Sequence, residues 1–118
     1  MATDSEILID IQNIYRKIDQ CYKAKEDIAA QIVTEQADIA NLEKLISVDL
    51  DRISQQKRPR YDVSSMLANI VRCNNNITLF NETILEEDSN VKKFRDIVQV
   101  LQDDMARPKE IVIDMSGK

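Results

Sequence analysis

Apolar residues recur along this chain at alternating spacings of three and four, in two long stretches separated by a short break. The first stretch comprises Ile7, Ile11, Ile14, Ile18, Cys21, Ile28, Ile32, Ile39, Leu42, Ile46 and Ile53. The second stretch comprises Val63, Met66, Ile70, Cys73, Ile77, Phe80, Ile84, Val91, Phe94, Val98, Leu101 and Met105. A heptad repeat sustained over this length is typical of helices that bury one narrow stripe against other helices.

The first stretch has clear signals for the start and the end of a helix. Thr3 and Glu6 form a capping box immediately before the first apolar residue, which predicts a helix start at residue 3. Pro59 disfavours a helical conformation in the residue before it. We therefore expect the first helix over residues 3–56 and a connection over residues 57–61.

The second stretch predicts a second helix and a hairpin. Asp62 can cap its first turn by accepting backbone N–H bonds, so we expect this helix over residues 62–106. The connection is short and the helices are similarly long, a combination that makes helices antiparallel neighbours. The sequence thus predicts an all-α fold, an elongated antiparallel two-helix coiled-coil hairpin over residues 3–106. The tail over residues 107–118 is expected to be disordered, with strand-like alternation that could add to a partner's sheet.

The alignment of the two helices follows from pairing the two core positions of the heptad, a and d, across an antiparallel seam. An alignment in which the numbers of facing residues sum to 119 satisfies this rule throughout and centres the turn between Pro59 and Arg60. It places Ile53 opposite Met66, Ile46 opposite Cys73, Ile39 opposite Phe80, Ile28 opposite Val91 and Ile18 opposite Leu101. The same alignment predicts that Tyr22 contacts Arg95.

Four charged residues interrupt the apolar stripe. They are Lys25, Glu35, Asp49 and Glu87. A parallel homodimer would bring each of them against its own copy, which destabilises a core. In the predicted hairpin they face Phe94, Ile84, Ile70 and Ile32, respectively. Glu35 and Glu87 either extend to solvent or pair with a basic residue of a partner helix, which would then set partner choice.

A second set of apolar residues lies outside the core positions. On the first helix it comprises Leu8, Tyr15, Tyr22, Ala29, Leu45 and Leu50, and on the second Val71, Leu79, Leu85 and Val100. A two-stranded seam does not need these residues, whereas a bundle of three or four helices does. The candidate partner-binding residues are therefore Leu8, Tyr15, Tyr22, Glu35, Leu45, Val71, Leu79, Leu85, Glu87 and Val100.

Composition excludes most catalytic and cofactor chemistry. The 118 residues include no histidine, one glycine and two cysteines. The chain therefore lacks the residues for a Ser-His-Asp or Cys-His constellation, a zinc signature or a Gly-rich phosphate loop. Glu35 and Glu87 could act as paired carboxylates, but a two-helix hairpin offers no evident cleft. The sequence predicts no enzyme activity, no cofactor, no metal and no small-molecule substrate.

Charge and cysteine usage bear on partners and compartment. A net charge of −5 without a basic stripe disfavours nucleic acid. Residues 56–60 weakly resemble a nuclear-import cluster, with a solvated loop as the favoured alternative. No apolar run approaches the ~20 residues of a membrane span, and the N-terminus lacks a signal-peptide layout. Cys21 and Cys73 are expected to be reduced, which favours the cytoplasm, with nucleus and cytoskeleton as alternatives.

These patterns predict a non-enzymatic coiled-coil scaffold subunit of a hetero-oligomeric intracellular complex. Assemblies of small helical subunits serve vesicle and lysosome traffic or kinetochores and spindles, and the expected partners are other helical proteins. One alternative is a self-associating homodimer, a four-helix-bundle adaptor. A further alternative, which the charge disfavours, is a dimerisation module of a nucleic-acid-associated complex that uses the basic connection as its contact.

Overall fold

The structure, a computed structural model, describes residues 3–107 and contains two α-helices. Helix α1 spans Asp4–Ser54 and helix α2 spans Val63–Ala106. The predicted all-α helical hairpin is confirmed. The expectation about the tail falls, from residue 108 onward, outside the described residues.

Side chains cap the first turn of each helix. The Glu6 N–H donates to the Thr3 hydroxyl at 3.1 Å and the Thr3 N–H donates to the Glu6 carboxylate at 3.4 Å, which completes the capping box. The Asp62 carboxylate accepts the Ser65 N–H at 3.2 Å and the Ser65 hydroxyl at 3.0 Å. These bonds lower the pKa of Asp62. The Asp62 cap therefore stabilises α2 above the ordinary carboxylate pKa, and its contribution is lost as the pH falls through the lowered value.

Helix α1 ends in a tight turn with a left-handed residue. Gln56 has φ of 60°, and its N–H donates to the Ile53 carbonyl at 2.9 Å while the Lys57 N–H donates to the Arg52 carbonyl at 2.8 Å. This is a Schellman motif with glutamine in the position that usually holds glycine. It explains why α1 ends two residues before the predicted residue 56.

The chain divides into two compact units. The terminal unit contains residues 3–22 and 88–107, and the loop unit contains Lys23–Glu87. In the terminal unit, the buried residues form two clusters, one of Ile7, Ile11 and Val98, the other of Ile18, Cys21 and Val91. Residue numbers rise along α1 while they fall along α2, so the helices of this unit pack antiparallel.

Within the terminal unit, the alignment predicted from the sequence is wrong by one heptad. Val91 shares a buried cluster with Cys21 and Ile18, whereas the predicted alignment placed it opposite Ile28, seven residues after Cys21. Likewise Met105 packs against the cluster that contains Ile7. Seven residues correspond to about 10.5 Å of helix, so the difference changes every layer of the seam.

The loop unit shows the same one-heptad correction. Glu35 accepts a hydrogen bond from the Asn76 amide at 3.3 Å and interacts with the Cys73 thiol. The predicted alignment placed Glu35 against Ile84 instead. In the corrected alignment, Cys73 lies level with Ile39 rather than with Ile46.

Two residues near the connection also differ from the prediction. Ile53, expected in the core opposite Met66, is 46% exposed, whereas Asp49, expected opposite Ile70, is completely buried. After the correction, Met66 lies level with Ile46 and the seam ends at Asp49. Ile53 follows the last core layer, which explains its exposure.

A disulfide crosslink checks the corrected alignment. In a Cys21→Ala background, Ile39→Cys should bridge to Cys73 under mild oxidation, because facing side chains of a seam approach the Cβ separation of ~3.5–4.5 Å that a disulfide needs. Ile46→Cys is the matched control, since it lies about 10.5 Å farther along α1. Non-reducing electrophoresis and peptide mass mapping identify the bridge. A bridge from Ile46→Cys but not from Ile39→Cys would favour the original alignment.

Candidate functional site

Three candidate partner-binding residues form a row on α1 in the terminal unit. Leu8, Tyr15 and Tyr22 are spaced one heptad apart and are 50%, 46% and 38% exposed. Each follows a residue of the apolar stripe by one position, so the row runs beside the seam on one flank of the helix. We call these three residues the α1 flank.

Basic side chains cover aromatic rings in the same unit. The Arg95 guanidinium donates a hydrogen bond to the Tyr22 hydroxyl and lies 5.8 Å from the centre of its ring. The Lys17 ammonium lies 5.9 Å from the centre of the Phe94 ring. The predicted contact between Tyr22 and Arg95 is confirmed although the alignment was wrong. Side chains tilt toward the N-terminus of their own helix, so these two long side chains lean toward each other across an antiparallel pair.

Helix α2 presents a separate apolar pair in the terminal unit. Val100 is 58% exposed and Ile97, three residues before it, is also exposed. Residues three apart share one face of a helix, so the two side chains form a continuous patch. Val100 was a candidate from the sequence, whereas Ile97 was not among the candidate partner-binding residues. The sequence could have indicated the exposure of Ile97, because this residue lies outside the heptad stripe.

Exposed apolar residues also occur in the loop unit, on both helices. The candidates Val71, Leu79 and Leu85 are exposed on α2, whereas Leu45 on α1 is half-buried and so offers less surface to a partner. Several other exposed apolar residues were not among the candidate partner-binding residues, namely Ile9, Val33, Val48, Leu50, Ile53, Tyr61 and Leu67.

Glu35 lies in a polar layer within the seam of the loop unit. It is half-buried and accepts hydrogen bonds from the Asn76 amide, at 3.3 and 3.5 Å to its two oxygens. The neighbouring Cys73 is buried; burial, and then the hydrogen bond to Glu35 and its charge, raise the pKa of the Cys73 thiol. Glu35 therefore has partners in its own chain. Glu87, the other acidic candidate, is also half-buried.

The same layer brings potential metal ligands together. One ligand atom each from Glu35, Asp38 and Cys73 lies within 4.8 Å of the others, and a thiolate with carboxylates can hold a borderline cation. Metal binding requires the thiolate, whereas the raised pKa of Cys73 favours the neutral thiol. In the described structure, Glu35 accepts hydrogen bonds from Asn76 and interacts with the Cys73 thiol, so these residues form a hydrogen-bonded layer of the seam. The sequence analysis did not consider this cluster because the predicted alignment separated its members.

A buried carboxylate organises the connection between the helices. Asp49 is completely buried and accepts the N–H groups of Arg60 at 3.0 Å and of Tyr61 at 2.8 Å. The Arg52 side chain donates to the Arg58 carbonyl at 2.9 Å. Backbone groups that a solvated loop would leave to water are thus bound by side chains of α1. The sequence marked Asp49 only as an exception in the stripe.

Comparisons with known proteins do not assign a function. No protein-family model matches the chain, and neither a curated protein nor a solved structure matches it. Within residues 3–107, neither helix has an apolar segment long enough to cross a membrane. A functional assignment therefore depends on the side chains described above.

Proposed function

We propose that this chain is a non-enzymatic coiled-coil scaffold subunit that binds helices of other protein chains. The observation that supports this proposal most strongly is the α1 flank, where Leu8, Tyr15 and Tyr22 remain exposed beside an already formed seam. Apolar side chains at heptad spacing are the pattern by which a further helix packs. Tyrosine also has a high frequency at the centres of protein interfaces.

A hetero-oligomeric complex suits the distribution of these surfaces. Exposed apolar side chains occur on α1, in the α1 flank, and on α2, at Val71, Leu79, Leu85 and Val100. Several different surfaces suit several partners, whereas a symmetric homodimer uses one self-complementary patch. The thin two-helix core would also gain stability from association. Both cysteines are free and buried, which is compatible with a reducing intracellular compartment.

The three candidate functions predict different behaviour of the purified protein in solution. A homodimeric four-helix adaptor would purify by itself at twice the chain mass of 13.6 kDa, with the α1 flank against its own copy. A nucleic-acid-associated module would bind DNA with a steep salt dependence. The hetero-oligomeric scaffold would purify poorly alone and would gain solubility on co-expression with its partners.

A pair of double variants tests the proposed surface. Leu8→Ser/Tyr15→Ser should lose most co-purifying protein, because it removes two apolar contacts of the α1 flank. Asn13→Ser/Gln20→Ser is the matched control, with the same heptad spacing on the same helix at exposed polar positions. Quantitative mass spectrometry after affinity purification measures the partners, and circular dichroism checks that both variants keep their helices.

The comparison has clear opposing outcomes. Loss of the same partners from Leu8→Ser/Tyr15→Ser but not from the control supports the α1 flank as the binding surface. Equal retention in both variants would reject it. If the purified wild type forms a stable dimer that Leu8→Ser/Tyr15→Ser converts to a monomer, the homodimeric adaptor replaces the hetero-oligomeric scaffold.

A further inference from the structure

The end of the hairpin concentrates positive charge in an acidic chain. The segment over residues 52–61, which we call the tip, contains Arg52, Lys57, Arg58 and Arg60 and no acidic residue, whereas the whole chain has a net charge of −5. Three acids lie beside it, because Asp49 and Asp51 precede the tip and Asp62 follows it, so residues 49–62 contain four basic and three acidic residues. Within the tip itself no acidic residue accompanies the four basic ones, which favours an acidic partner over a basic one.

The acids that flank the tip are engaged in local hydrogen bonds. Asp49 is buried beneath the connection, where it accepts the backbone N–H groups of Arg60 and Tyr61. Asp62 accepts the Ser65 N–H and hydroxyl. In the described part of the chain, no ion pair involves the side chains of Lys57 and Arg60. Their charges remain available to a partner.

The backbone of the tip is held in place from both sides. The Lys57 N–H donates to the Arg52 carbonyl at 2.8 Å, and the Arg52 side chain donates to the Arg58 carbonyl at 2.9 Å. Asp49 fixes the backbone at Arg60 and Tyr61. A fixed backbone reduces the ordering entropy that binding would otherwise require. The tip thus presents its basic side chains from a preorganised frame.

Apolar surface accompanies the positive charge. Ile53 is 46% exposed and Tyr61 is 45% exposed, and both lie within the tip. Ile53 keeps its place in the heptad pattern but lies beyond the last layer of the seam. Arginine and tyrosine are the residue types that contribute most at protein interfaces. This mixture fits a protein partner better than a purely electrostatic one.

We propose that the tip is a docking surface for an acidic protein segment that also contributes an apolar side chain. The inference rests on the proposed scaffold function and names the chemistry of one partner. A nucleic acid is a poorer occupant, because few phosphates can be neutralised by the tip while the acidic remainder repels the polyanion. An anionic membrane is a poorer occupant for the same reason, because few lipid headgroups can be contacted by the tip while the acidic remainder is repelled by the charged surface.

The test uses the full chain and four defined probes. The first is a synthetic peptide in which pairs of glutamates alternate with leucine, and the second is the same peptide with serine for leucine. The third is a vesicle of phosphatidylcholine and phosphatidylserine, and the fourth is a DNA duplex. Lys57→Glu/Arg60→Glu reverses two of the four tip charges without changing its backbone donors. Lys92→Glu/Lys93→Glu, at exposed positions of α2, is the control with the same change in net charge.

The expected result is a difference between the two variants. At ~0.1 M salt, Lys57→Glu/Arg60→Glu should bind the leucine-containing peptide about tenfold more weakly than wild type, or about 1.4 kcal/mol. Lys92→Glu/Lys93→Glu should remain within about twofold, and the serine peptide should bind wild type more weakly than the leucine peptide. Circular dichroism should show unchanged helicity in both variants.

Other outcomes would overturn the inference. Equally weakened peptide binding in both variants would indicate a general charge effect. If the wild type did not bind the peptide, the proposed docking surface would be rejected. Tighter binding to the vesicle or the duplex, lost in Lys57→Glu/Arg60→Glu, would assign the tip to a membrane or to nucleic acid. If peptide binding fails while Leu8→Ser/Tyr15→Ser still loses its partners, only the tip inference fails. If Leu8→Ser/Tyr15→Ser keeps its partners while the tip binds the peptide, the α1 flank is rejected as the binding surface and the tip inference is supported.

Discussion

Val98→Asp should unfold the terminal unit at room temperature. Val98 is 4% exposed and shares a buried cluster with Ile7 and Ile11. An aspartate there would place an unpaired charge among aliphatic side chains, which destabilises a core by at least about 3 kcal/mol. Because whole domains are stable by only about 5–15 kcal/mol, a core of two helices has little reserve. Circular dichroism at 222 nm should show a large loss of helical signal and a much lower melting temperature.

Val100→Asp is the control for this prediction. It introduces the same charge two residues later, at a position that is 58% exposed. Substitutions at such surface positions usually change stability by about 0.5 kcal/mol or less, so the helicity should stay close to that of wild type. If Val98→Asp and Val100→Asp melted alike, the seam assigned to α2 would be incorrect.

Local patterns predicted the helices of this chain. The heptad repeat identified Ile7, Ile11, Ile18 and Cys21 as core residues, and all four are buried. Such a pattern is a property of one helix and its immediate neighbours, so it can be read without knowledge of the partner helix.

The pairing of the helices could not be obtained from the same pattern. Because the repeat has a period of seven residues, sliding one helix by a heptad again pairs each a position with a d position. Apolar side chains barely distinguish these two alignments. Polar residues distinguish them. Only in the observed alignment does Glu35 accept a hydrogen bond from Asn76 and Asp49 accept one from the backbone of the connection. The sequence analysis treated Glu35 and Asp49 as exceptions, when they contained the information that decided the alignment.

The candidate surface was predictable to the extent that it depends on helix faces. Tyr15, Val71 and Leu85 lie outside the stripe in the sequence and are exposed in the structure. Leu45 also lies outside the stripe, yet it is half-buried. The tip was less predictable, since the burial of Asp49 depends on the path of the connection. That path is a tertiary feature without a sequence period.

Asp49→Ala should destabilise the loop unit by about 2–4 kcal/mol. The substitution removes the buried carboxylate that accepts the N–H groups of Arg60 and Tyr61, and a hydrogen bond to a charged group contributes about 1.5–3 kcal/mol. Asp51→Ala is the matched control. Asp51 is exposed in the last turn of α1, where a negative charge opposes the helix dipole, so its removal should not destabilise the helix. Urea denaturation of both variants measures the difference.

Loss of Asp49 should also reduce the free-energy difference between the two alignments of the helices. Without its carboxylate, the alignment that differs by one heptad would place Ile53 opposite Met66 and bury apolar surface that is now exposed. We therefore expect that Ile46→Cys, which should not bridge to Cys73 in the otherwise native chain, gives a partial disulfide yield when combined with Asp49→Ala. The yield should stay partial, because Glu35 and Asn76 still favour the native alignment. A destabilised variant without any such bridge would show that Asp49 stabilises the connection but does not select the pairing of the helices.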